Sequence, residues 1–199
     1  MTRQNWLERQ MAAAEKDPQE QAIREMLRNI QEVKTPVKII SVQDVPEFCG
    51  SSASDCGVSA IIGQGRMAST EYLPIRTDNA SACNIFIIKT PQEGMADKYT
   101  MVHIWSGDLD LNLPGHKRED IAAITNDKSI AIGITGGRSV GIIPTAREFK
   151  YEGITTTKHI SASTGNRYVS VVYRPESNEI LVRVGADVDA TEVWVYEGF

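Results

Sequence analysis

The chain has 199 residues, 41% hydrophobic and 24% charged, with a formal net charge of −5. That length and composition fit one folded domain, or one domain with an appendage, and exclude a disordered tail. The densest basic patch, "HKRED", runs straight into acids, so the sequence offers no concentrated cationic surface for nucleic-acid phosphates or an anionic membrane.

The N-terminus "MTRQNWLERQMAAAEK" lacks the apolar run of a secretory signal, and no segment approaches the roughly 20 apolar residues of a membrane span. The chain is therefore expected to be made in the cytoplasm without a cleavable signal peptide, which leaves export by a signal-independent route open. Residues 3–34 read as helix. Trp6, Leu7 and Met11 fall at helical spacing. "DPQE" then restarts the pattern, with Asp17 as N-cap, Pro18 at the first helical position and Glu20 closing a capping box. Ile23, Met26, Leu27, Ile30 and Val33 form one apolar stripe, and Pro36 ends it.

From Val37 the texture changes to short runs rich in Val, Ile, Thr and Tyr. Strands are expected at 37–42, 57–62, 67–73, 84–89, 99–106, 129–135, 139–143, 153–161, 167–173, 179–184 and 192–197. "VVYRPESNEILVRV" is a hairpin signal, and a short helix is expected at about 116–125. The fold class is α+β: an N-terminal helical segment over 1–36, then a mostly antiparallel, sandwich-like β domain over 37–199.

Three cysteines in a chain of cytosolic origin argue against a disulfide framework. Cys49 and Cys56 lie in a Gly/Ser-rich loop without metal-ligand spacing and read as two loop thiols, with a bridge between them as the next reading. "GITGGRSVG" lacks the phosphate-loop pattern and reads as turn glycines. His116 and His159 have no carboxylate or Cys at ligand spacing. "GDLDLN" offers Asp108, Asp110 and Asn112 but lacks the Gly and distal Glu of a calcium loop, and its alternation fits a strand edge as well.

Cys83 is different. It closes the small, polar run "TDNASAC" and opens the apolar "NIFIIK". Small residues at 81–83 let backbone N–H groups approach a carbonyl, and a residue at a loop-to-strand junction is held firmly, conditions that suit a nucleophile beside an oxyanion hole. In "YTMVHIW", Met101, His103 and Trp105 share one strand face. A hairpin across "TPQEGMADK" brings His103 within reach of Cys83. A thiol with a pKa near 8.5 is mostly protonated at neutral pH, and an adjacent imidazole can accept its proton. On their own, a Cys before a strand and a His beside Trp are also compatible with buried structural residues.

The pattern T-x5-C, with small residues before the Cys and a His on the next strand, resembles the thiol (Cys-His) protein-glutamine deamidases. These include the chemotaxis receptor deamidases, the Burkholderia lethal factor and the catalytic domain of cytotoxic necrotising factor. "TDNASAC" is similar to the "T…SGC" signature of the group, with Ala82 where Gly is usual, and "EGMADKYTMVHIW" is similar to its glycine turn, strand and His segment. The resemblance spans about 30 residues, 75 to 106. It implies Cys83 as nucleophile, His103 as base and then acid, Thr77 as the group orienting His103, and a thioester intermediate. It also implies a glutamine side chain of a protein as substrate and no cofactor. The helical N-terminus favours an effector or toxin acting on a host protein over a resident enzyme acting on a receptor. Two other readings stay open: a thiol protease or transglutaminase-like enzyme on the same pair, and a non-enzymatic β-rich binding module with an N-terminal docking helix and an inert Cys83.

Overall fold

The segment "CNIFIIKT" sets the architecture. It is apolar at nearly every position, as a strand covered on both faces must be. In the computed structural model, which describes residues 17–105, 118–135, 139, 141–162, 168–185 and 191–199, it is a central strand. The described residues form two six-stranded sheets with few helices, a mostly β, broadly α+β fold. In the first sheet the order is β1 (Gln31–Val33), β9 (Thr155–Ser161), β8 (Ile130–Thr135), β6 (Cys83–Thr90), β7 (Lys98–Trp105), β4 (Arg66–Thr70). In the second it is β2 (Lys38–Ser41), β12 (Glu192–Glu197), β11 (Glu179–Val184), β10 (Val169–Arg174), β5 (Ile75–Ala80), β3 (Ile61–Ile62). Neighbours are mostly antiparallel. The parallel pairs are β1 with β9, β8 with β9, and β3 with β5.

One core cluster takes side chains from both sheets: Ile85, Ile87, Met101 and Ile134 from the first, Ile75, Val171, Tyr173 and Val182 from the second. Cys83 belongs to this cluster, since it shares a face with Ile85 and Ile87. The other face of the first sheet buries Phe86, Ile88, Val102 and Ile104 against Ile121 of α3 (Arg118–Ala122), Ile142, and Phe149 of α4 (Ile143–Tyr151). The outer face of the second sheet packs Val172, Leu181 and Val193 against Val45 and Phe48.

Several elements depart from the sequence expectations. The helix α1 (Pro18–Asn29) starts as read, with Asp17 Oδ1 accepting from the Gln19 amide at 2.9 Å and Pro18 at the first turn. It stops well before Pro36, because residues 31–33 gain ladder hydrogen bonds by lying parallel to β9 while Ile30 and Val33 still reach apolar cover. The Glu20 carboxylate pairs with Arg147 and Tyr151 of α4, which fastens α1 to that helix. Residues 3–16, with Trp6, Leu7 and Met11, lie outside the described residues.

The strand expected at 139–143 is not one. Ile143–Tyr151 is a helix with Pro144 in its first turn, and Ile142 presses on Gly133, where an added Cβ would lie 2.9 Å from the Ile142 side chain. Within 57–62 only Ile61–Ile62 is strand, and Ala53–Cys56 before it forms the short helix α2. A strand was missed altogether: "IRTDNA", read as the end of a loop, is β5, hydrogen-bonded to β10 on one side and to β3 on the other.

Candidate active site

The β6–β7 hairpin forms with Cys83 opposite Trp105, Asn84 opposite Ile104 and Ile85 opposite His103. Cys83 and His103 are therefore diagonal neighbours on one sheet face, a spacing of roughly 7–8 Å between backbones. Both are buried, Cys83 at 6% and His103 at 2% exposure, and Cys83 is in no disulfide.

Thr77 comes from the opposite sheet. It sits on β5, and its fully buried hydroxyl crosses the inter-sheet layer to His103 Nδ1 at 2.8 Å. The same hydroxyl donates to the Ile62 carbonyl of the adjacent β3, also at 2.8 Å. A threonine hydroxyl has one proton. Since that proton is spent on Ile62, Thr77 Oγ1 must accept from His103 Nδ1–H. The neutral imidazole then carries its proton on Nδ1 and a lone pair on Nε2, and Nε2 is buried with no hydrogen-bond partner among the described residues. Burial holds the His103 pKa down at about 4, against an opposing pull from the Asp78 carboxylate, so the ring is neutral at physiological pH.

The backbone leading to Cys83 is bent at a defined place. Asn79 is left-handed at φ 57°, and its amide donates to the buried Ser170 hydroxyl at 3.3 Å, where β10 shifts register against β5. Residues 80–82 then cross from the second sheet to the first, where Cys83 begins β6. Ser81 and Ala82 are half-buried on this crossing.

Next to Thr77 on β5, the buried Arg76 holds Asp78 through Nε at 2.9 Å and Nη2 at 2.7 Å, and gives Nη1 to the carbonyls of Glu47 and Gly50. Cys56 also faces this guanidinium at 3.3 Å, while Cys49 is exposed. On the other face of β6, the fully buried Asn84 ties Gly141 O at 3.0 Å and accepts from Ser139, so the tail of the glycine-rich segment is bonded to the residue after Cys83. Sequence reading did not find Arg76, Asp78, Asn79, Asn84, Ser139 or Ser170. A polar Asn inside an otherwise apolar strand was the one available signal.

His159 is half-buried, with Nε2 3.3 Å from Thr135 Oγ1, and burial depresses its pKa. His116, Asp108, Asp110 and Asn112 lie outside the described residues. Among the described residues no group of three or more His, Cys, Asp or Glu side chains is placed to hold a metal ion, and no helix is long and apolar enough to cross a membrane.

No family model matches the sequence, and no curated protein matches it. The site therefore has to be read from its own geometry.

Proposed function

We propose that this protein is a cysteine hydrolase that deamidates a glutamine side chain of a protein substrate. The observation that carries the reading is the Thr77 relay: by donating to Ile62 and accepting from Nδ1–H, it leaves His103 Nε2 unprotonated on the face that also holds Cys83. A histidine held in one tautomer by a second group, one diagonal step from a thiol, is the constellation of an activated nucleophile.

The steps follow from those atoms. Cys83 Sγ attacks the amide carbon as its proton passes to His103 Nε2. The resulting imidazolium is costly in a buried site, so it gives the proton to the amide nitrogen and ammonia leaves, which forms a thioester. A water then surrenders a proton to Nε2, attacks the thioester carbon and releases a glutamate carboxylate, and the proton returns to Cys83. Backbone N–H groups of Ser81, Ala82 and Cys83 receive the negative oxygen. No cofactor enters. The product carries a charge where a neutral amide stood, enough to switch an interface. The two-layer β framework serves as a sandwich scaffold, and an exported effector or toxin that modifies a host protein is the context we favour.

The test is peptide mass spectrometry of each cysteine's alkylation rate against pH, in wild type and His103→Ala, followed by a search for one-dalton gains on glutamines of candidate proteins. Faster alkylation of Cys83 than of Cys49 at neutral pH, lost in the variant, supports the reading. A backbone cut or an amine adduct in place of the one-dalton gain would move it to a protease or a transglutaminase. A Cys83 indifferent to His103 sinks it and leaves a binding module.

A further inference from the structure

Trp105 is the cross-strand partner of Cys83 and shares its sheet face, yet it is 52% exposed where His103, two residues away, is 2% exposed. Directly opposed side chains in such a pair stand roughly 5 Å apart at Cβ. Single exposed apolar side chains are ordinary, and Tyr72, Leu73 and Met95 are exposed as well; what sets Trp105 apart is its place directly across the ladder from Cys83. Cys83, in contrast, is recessed at the edge of the inter-sheet core. Trp105 is thus the exposed aromatic side chain paired with the strand position of this thiol.

We propose that Trp105 is the substrate-contact wall of the Cys83 site: its exposed indole face packs against the apolar stem and adjoining peptide of the segment whose carbonyl reaches the thiol. The proposal rests on the reading of Cys83 as the nucleophile and adds a specificity-determining residue to it. Tryptophan suits the role, since its large rigid surface loses little conformational freedom on contact and is tolerant of sequence around the target. The predicted preference is for an amide on an unbranched aliphatic stem, with the flanking peptide lying flat on the ring.

The experiment uses two alkylating probes that share one reacting group, iodoacetamide and N-hexyl iodoacetamide. In each, the thiolate displaces iodide and forms a thioether, and the probes differ only in the apolar tail. Rates at Cys83 are read by peptide mass spectrometry at pH 9, where an ordinary thiol is largely ionised, so the tail preference is measured whether or not His103 activates the thiol. Cys49, exposed and remote in sequence, is the internal reference. The wild type is expected to favour the hexyl probe at Cys83 over Cys49 by about tenfold, from partial burial of the tail on the indole. Trp105→Ala loses that preference while its iodoacetamide rate stays within about twofold, and Trp105→Phe retains most of it. Tyr72→Ala, which removes another exposed aromatic, leaves it unchanged. Equal tail preference in wild type and Trp105→Ala overturns the proposal while leaving the Cys-His reading intact. Loss of the neutral-pH advantage with the tail preference preserved overturns the Cys-His reading alone. No labelling of Cys83 by either probe overturns both.

Discussion

His103 makes a sharp demand on the pH dependence of stability. Its folded pKa is pushed from the ordinary 6.5 to about 4 by burial, with Asp78 pulling weakly the other way. A histidine with a depressed folded pKa binds its proton better in the unfolded chain. Its neutral form therefore costs the fold nothing above pH 6.5, and stability is lost as the pH falls through the window from 6.5 to 4. At 1.36 kcal/mol per unit, the gap amounts to roughly 3 kcal/mol, most of it gone by pH 4.5. Carboxylates also titrate there, so the quantity to measure is a difference. Urea unfolding of wild type and His103→Gln at pH 7, 5.5 and 4.5 should show the wild type losing about 2–3 kcal/mol more than the variant across that range. The tautomer is checked separately by ¹⁵N-detected NMR of the imidazole at pH 7, which should find the proton on Nδ1. A flat wild-type-minus-variant difference would refute the burial-depressed pKa, and a proton on Nε2 would refute the Thr77 relay and remove the base from the proposed chemistry.

Two further outcomes are expected. Thr77→Val leaves the His103 Nδ1–H and the Ile62 carbonyl without their buried partner and should cost about 1–3 kcal/mol in stability. It should also slow neutral-pH alkylation of Cys83 by roughly 10- to 100-fold, while Thr77→Ser restores both. Measured by the same alkylation assay and by thermal unfolding, Asn79→Gly should be close to neutral, because glycine accepts φ 57° freely. Asn79→Val should cost about 1–3 kcal/mol and slow Cys83, and equal behaviour of the two variants would show that the left-handed turn does not aim the 80–83 crossing.

The half of the site that lies on one hairpin was legible in the sequence because its determinants are local. "NIFIIK" and "YTMVHIW" alternate or run apolar strongly enough to be strands, and the loop "TPQEGMADK" between them carries turn residues. Counting residues along the two arms is then enough to place His103 beside Cys83. The helix at 143–151 was misread for a similar local reason. Val140 to Ile143 carry strand propensity, and they outweighed Pro144, which marks a helix start more often than a strand interior.

The strand β5 was illegible for a reason that belongs to the site itself. "IRTDNA" has the composition of a loop, since Arg, Thr, Asp and Asn are poor strand formers or poor candidates for burial. They are tolerated because partners mostly far away in sequence satisfy them: the carbonyls of Glu47 and Gly50 for Arg76, beside its local partner Asp78, Ile62 and His103 for Thr77, and Ser170 for the Asn79 amide. No periodicity encodes such pairs, so a local reading assigns the segment to solvent. A buried strand of polar residues is also costly to maintain, as any unmade bond there forfeits a full desolvation penalty. One acceptor in the cluster, His103 Nε2, has no partner among the described residues, and His103 shares a sheet face with Cys83. A core that satisfies Arg76, Thr77 and Asn79 from several elements, and leaves one imidazole nitrogen unmatched on a residue that shares a sheet face with Cys83, is what the proposed proton transfer requires.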